Sequence, residues 1–133
     1  MFKIIPMQNT EEREALCRRL GAEFHLGDMA YRVTIEEQEA GIITFFIKGT
    51  KGCLRQICFY PNMQDFEVMF IGGRACMNFM DSVGASDGYF VNPDPHNERL
   101  TLALGYRKQE DGSYYLNTEG FFIEHCKNHD EHH

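Results

Sequence analysis

The chain has 133 residues, 43% apolar and 13% aromatic, with 13 basic against 20 acidic side chains for a formal charge of −7. That length suits one domain, which buries roughly 65–70% of its unfolded surface and so builds a core without disulfides or metal. The acidic balance argues against nucleic acid or an anionic membrane as main partner, and no apolar run approaches the roughly 20 residues of a membrane span.

Five cysteines (Cys17, Cys53, Cys58, Cys76, Cys126) form no Cys-x-x-Cys pair. MFKIIPMQN does not read as a signal peptide, so the expectation is a cytoplasmic protein with reduced thiols. The first four cysteines read as core filler rather than nucleophiles.

In chain order, FKIIP (2–6) is a first strand. Asn9 stands three residues before Glu12 in a capping box. The helix that follows, TEEREALCRRL, is acidic early and basic late, matching its dipole, and stops at Gly21. AYRVTIEE and GIITFFIK are β-rich runs around QEA, a predicted hairpin; after GTKG comes a third run, CLRQICFY, closed by Pro61. Asp65 can cap a second helix, in which Phe66, Met69, Phe70, Gly73, Cys76, Met77, Met80 and Val83 recur at helical spacing without a break. GYFVN (88–92) is a strand. Asp94 and Pro95 open a third helix running to about Leu104 and stopped at Gly105, and YRKQ and SYYLNT around Asp111 and Gly112 make a last hairpin.

The predicted order is β-α-β-β-β-α-β-α-β-β. That is an α+β fold: a single mixed, mostly antiparallel sheet of about seven strands with three helices on its faces. The domain is expected over 1–123, with a flexible His-rich tail at 124–133.

This order, with ICFYP leading into IGGRACMNFMD and then NPDPHNERLTLALGYRKQ, resembles the GNAT superfamily of acyl-CoA N-acyltransferases over nearly the whole chain. ALGYRKQ is similar to the family's "LGF" ending of its last long helix, and the step Gly73-Arg74-Ala75 to its helix opening. The family's usual second helix is missing, since only GAEFHLGD separates the first helix from the next strand. The resemblance implies acetyl-CoA as cofactor and an amine, on a small molecule or a protein, as acceptor. It implies that the strand ending at Phe59 splays from 88–92, with the pantetheine arm paired to the backbone of Cys58 and Phe59. The diphosphate would then lie against Gly72, Gly73, Arg74 and Ala75.

The family's phosphate loop runs Arg/Gln-x-x-Gly-x-Gly/Ala. Counted back from Gly73, Val68 takes the basic or amide place and Ile71 that of the earlier glycine. The interval from Pro61 is longer than usual by about four residues, close to one helical turn. Two readings follow. In the first, Gly72 and Gly73 lie inside the second helix for close packing, their amides spent; the free amides then move to 65–68, beside Asp65 and Glu67, whose carboxylates repel a diphosphate. In the second, the glycines are a remnant of a phosphate loop where the helix unwinds.

The family's proton-donating Tyr, four residues before the glycine of "LGF", is Thr101 here. Thr101 and His96 are the catalytic candidates; the strand 53–60 holds no carboxylate to act as base, and Tyr106 is expected in the core. In EHCKNHDEHH (124–133), one helical turn would align His125 with His129, or Cys126 with His129, for a transition metal. Three functions are therefore expected in competition: a GNAT-like N-acetyltransferase, a non-catalytic binding protein on the same fold that has lost acetyl-CoA, and metal binding through the tail.

Overall fold

A computed structural model describes residues 1–117. Its elements follow the predicted order: β1 (Phe2–Met7), α1 (Thr10–Leu20), β2 (Met29–Ile35), β3 (Gln38–Lys48), β4 (Lys51–Phe59), α2 (Phe66–Ser82), β5 (Asp87–Phe90), α3 (Glu98–Leu104), β6 (Arg107–Lys108) and β7 (Tyr114–Asn117). The strands form one mixed sheet in the spatial order β1-β2-β3-β4-β5-β7-β6. Every pairing is antiparallel except that of β4 with β5.

Capping chemistry sets the helix limits. The Glu12 amide donates to Asn9 Oδ1 at 3.0 Å, and Gly21 turns left-handed at φ 70° to end α1. The Val68 amide donates to Asp65 Oδ1 at 3.1 Å, so α2 begins at the predicted cap. Asp94 works differently: its carboxylate accepts from the His96 amide at 2.9 Å and starts a 3₁₀ turn, Pro95–Asn97, so α3 is shorter than predicted. The first hairpin also departs from prediction. Its turn is Glu36 and Glu37, at φ 50° and 65°, and Gln38, Glu39 and Ala40 belong to β3. Pairing of Ile35 with Gln38 leaves two residues for the turn, and the Glu36 amide is held by the Met1 carbonyl at 2.8 Å.

α2 covers one face of the sheet, on Ile43, Phe45, Leu54, Phe59 and Phe90. α1 covers part of the other, with Leu16 and Cys17 against Ala30 and Ile42. Cys17, Cys53 and Cys76 are buried, and burial raises each thiol, Cys76 most, so these three are inert filler as expected. Tyr106 is fully buried against Phe90. No helix among the described residues is long and apolar enough to cross a membrane.

Candidate functional site

The site grows from a mismatch between β3 and β4. Thr44 faces Gln56 and Phe45 faces Leu54, so Arg55 has no partner on β3 and forms a bulge. There the carbonyls of Leu54 and Arg55 accept from the amides of Val91 and Asn92, at 2.8 and 2.9 Å. Pro93 and Pro95 then supply no amide to extend the ladder. Residues 56–59 of β4 keep their pairing with β3 and have none with β5. The two parallel strands part in a fork, as the family resemblance implied.

The fork encloses a notch of about 130 Å³, whose walls include Ile57, Cys58, Phe59, Met69, Asp94 and Thr101. The Tyr60 amide donates to the Ala40 carbonyl at 2.9 Å, so by antiparallel alternation Cys58 also faces β3, opposite Ile42. Ile57 and Phe59 turn their peptide groups toward the notch. The Phe59 carbonyl shows this directly by accepting from Gln64 Nε2 at 3.0 Å. Of the two residues expected to pair with a pantetheine arm, Phe59 therefore presents its backbone and Cys58 does not. The Cys58 thiol donates to the Leu20 carbonyl at 3.6 Å, and burial foremost, then Asp94, raises it. Thr101 is 1% exposed and lines the notch; His96 is exposed on the 3₁₀ turn and lines none of it.

Gly72 and Gly73 lie in the uninterrupted interior of α2, where their amides serve the helix. A Cβ on Gly72 would stand 2.4 Å from Ile43 Cδ1, and one on Gly73 2.9 Å from Leu104 Cδ2. The pair lets α2 sit down on the sheet and on α3, which is the packing reading. Arg74 and Ala75 continue the same helix, with the Arg74 guanidinium over the Phe70 ring at 5.2 Å.

The expected phosphate site fares differently from the arm site. At the α2 N-terminus the Asp65 carboxylate already occupies the Val68 amide and Glu67 adds a second charge in the first turn. The amides of Phe66 and Glu67 remain, with Arg99 of α3 stacked on the Phe66 ring at 4.0 Å. The residues present thus fit the arm of an acyl-CoA but not its diphosphate.

Sequence reasoning missed Gln64. Counted forward from Gln64, the family's pattern keeps its usual distance from the strand end, with Glu67 and Met69 where glycines would stand. Gly72 and Gly73 lie one turn further on. The count from the strand, rather than from the glycines, is the signal that would have found it.

On the other side of the fork, residues 21–28 replace the family's missing helix and are tied to the sheet. Gln56, 8% exposed, accepts from the Glu23 amide at 3.1 Å and donates to the Glu23 carbonyl at 2.7 Å and to Thr44 Oγ1 at 3.1 Å. Arg55 Nε and Nη2 donate to the two oxygens of buried Asp28, at 2.5 and 3.1 Å. The Glu23 carboxylate accepts from Asn92 Nδ2 and lies 3.4 Å from His25 Nε2.

The metal candidates His125, Cys126 and His129 lie outside the described residues. Among the described residues no group of three or more His, Cys, Asp or Glu could hold a metal ion.

No protein-family model matches the chain, and no curated protein matches its sequence. Solved structures do resemble it. A GNAT-family acetyltransferase from Staphylococcus aureus is 10% identical over 89% of this chain and 99% of that one, with a TM-score of 0.67. An IAA acetyltransferase from Bacillus cereus is 13% identical over 83% and 79%, with a TM-score of 0.66. A Bacillus subtilis acetyltransferase in complex with CoA is 15% identical over 81% and 76%, with a TM-score of 0.59. At such identities the likeness is one of architecture, and on that ground the chain has the fold of the GNAT acyl-CoA N-acyltransferases.

Proposed function

We propose that the chain transfers an acyl group from a thioester donor, held by its arm in the notch, to an amine. The observation that carries this reading is the bulge at Arg55, which ends the β4–β5 ladder and leaves the peptide groups of Ile57 and Phe59 facing a narrow cleft. Gln64 already holds the Phe59 carbonyl, and the peptide groups left on this edge, worth about 1–3 kcal/mol each when buried and unpaired, favour a ligand that pairs along it, as an extended amide-bearing arm does. Acetyl-CoA would bring an activated acyl carbon: a C–N bond forms as the C–S bond breaks, and an acceptor ammonium gives up two protons, one to the thiol and one to solvent. Thr101, beneath the cleft, offers a hydroxyl that can hydrogen-bond the departing sulfur. Its high pKa suits it to positioning rather than full proton donation. The acceptor amine belongs to a small molecule or a protein.

A second reading, a binding protein that shares the fold and has lost acetyl-CoA, is favoured by Asp65 and Glu67 at the α2 N-terminus. Thermal melting with S-acetylpantetheine, acetyl-CoA, plain CoA and zinc separates the readings. A donor at one hundred times its Kd stabilises by about 2.7 kcal/mol, a measurable shift for a domain of this size. Shifts with both thioesters support the donor held by its arm, and acetyl transfer to an amine completes the case. No shift with either thioester supports the second reading, and a shift with zinc alone supports metal binding through the tail.

A further inference from the structure

On the acyltransferase reading, we propose that the acceptor is a primary amine on an aromatic body, the body seated in a pocket beside β5 and the ammonium held by Glu23. The pocket is about 410 Å³, ample for one or two rings, and is walled by Cys53, Tyr89, Val91, Pro93 and Tyr114, with Lys51 at one side. Two of its hydroxyls are already engaged. Ser113 Oγ donates to Asp111 at 2.6 Å and the Tyr114 hydroxyl to Glu98 at 2.6 Å, while Lys51 Nζ lies 5.7 Å over the Tyr89 ring. Ring faces and aliphatic surface are left for a ligand, the lining that an aromatic body prefers.

Glu23 marks the end where the amine belongs. Its carboxylate accepts from Asn92, the residue between the two pocket-wall residues Val91 and Pro93, and Asn92 is also where β5 makes its last bond to the Arg55 bulge. The carboxylate is thereby tied to the segment that runs from the pocket wall, at Val91 and Pro93, to the notch wall, at Asp94. The backbone of Glu23 is fixed there: the buried Gln56 side chain bonds both its amide and its carbonyl. The side chain is reachable, 54% exposed. Of the cations, Arg55 is paired with Asp28, Arg13 donates to the Leu26 carbonyl at 2.8 Å, and Lys51 lies over the Tyr89 ring at the side of the pocket. Asp94, in the notch wall, adds a second negative charge. At the Glu23 and Asp94 end this charge pattern suits an ammonium and opposes an anionic head group. Glu23 is thus a positioning residue for the acceptor.

The test titrates the full chain, without donor, with phenethylamine, 2-phenylethanol, putrescine and phenylalanyl-alanine amide, followed by calorimetry and amide shifts in NMR spectra. Phenethylamine should bind at least tenfold tighter than the alcohol, which lacks the charge, and than putrescine, which lacks the ring. Glu23→Gln should weaken phenethylamine at least fivefold, leave the alcohol unchanged and leave Tm unchanged; Val91→Gln should weaken both ring ligands. Tighter binding of the dipeptide amide than of phenethylamine would assign the amine to a peptide N-terminus, within the same chemistry. Equal binding of putrescine, or indifference of phenethylamine to Glu23→Gln, overturns the proposal. Transfer assays separate its failure from that of the underlying reading. Acetylation of putrescine but not phenethylamine sinks the acceptor assignment and leaves the acyltransferase standing. Glu23-dependent binding of phenethylamine without any acetyl transfer sinks the acyltransferase.

Discussion

Alanine at Gly72 offers a clean test of how α2 is seated. In a helix interior the change should gain about 1 kcal/mol from propensity, since glycine is the costlier residue there. Against that, the new Cβ would stand 2.4 Å from Ile43 Cδ1, an ångström inside ordinary contact, and Ile43 is fully buried under the helix. Overpacking of this kind costs roughly 1–3 kcal/mol. The net expectation is a loss of about 1 kcal/mol in urea unfolding at unchanged m-value. Gly73→Ala meets the far end of the Leu104 side chain at 2.9 Å, a milder encounter, and should fall near zero.

Ile43→Val removes the atom that the Gly72→Ala methyl meets. Alone, Ile43→Val should cost about 0.5–1.5 kcal/mol. Combined with Gly72→Ala it should cost about 1 kcal/mol less than the sum, because the two changes share one contact. If Gly72→Ala proved more stable than wild type by about 1 kcal/mol, with no coupling to Ile43→Val, the glycines would not be there for packing. The close seating of α2 described above would then be refuted.

The remaining expectations concern charge. Asp28→Asn should cost about 3–5 kcal/mol, because it strips a buried partner from the Arg55 guanidinium, itself only 14% exposed; Asp28→Leu with Arg55→Met should recover much of the loss in the same unfolding assay. Arg19 hydrogen bonds, opposed by partial burial and aided by Tyr60, hold the Glu39 carboxyl below its ordinary 4.5. A carboxyl lowered in the folded state contributes its full stability above pH 4.5 and loses it as pH falls through the folded value. The stability gap between wild type and Glu39→Gln should therefore be constant near neutrality and shrink below that pH in denaturation curves. Glu67→Gln should tighten acetyl-CoA by roughly tenfold, about 1.4 kcal/mol for one like charge removed near a diphosphate in a partly screened medium, and leave S-acetylpantetheine unchanged by calorimetry. An equal effect on both ligands would show that Glu67 does not face the diphosphate.

What could be read from the sequence was local chemistry. Asn9 and Asp65 announce their helices because a capping side chain bonds an amide three residues away, and Gly21 ends α1 for an equally local reason. The first turn could not be read, because Glu36 and Glu37 are not residues that seek positive φ; the pairing of β2 with β3 forces it on them. The bulge at Arg55 has no sequence signal either, since it records a mismatch between two strands rather than a property of one. Glu23 stayed invisible for a similar reason. It owes its place to Gln56, 33 residues on, and to Asn92, 69 residues on.

The double glycine shows how a local signal can be right in kind and wrong in place. Glycines near a helix start mean either a loop that must expose its amides or a helix that must come close, and composition does not distinguish these. The cap does. Once Asp65 fixes the first turn at Phe66, Gly72 and Gly73 fall almost two turns inside α2, and every amide there already has a carbonyl. A ligand approaching this end of the helix finds two carboxylates in place of a glycine-lined cradle. The fork between β4 and β5 has no such dependence on α2, because the Arg55 bulge and two prolines open it from the sheet side. The notch and the helix end are thus built by independent devices, so either can change without the other. This is why a ligand carrying the arm and lacking the diphosphate is the more telling probe of this protein.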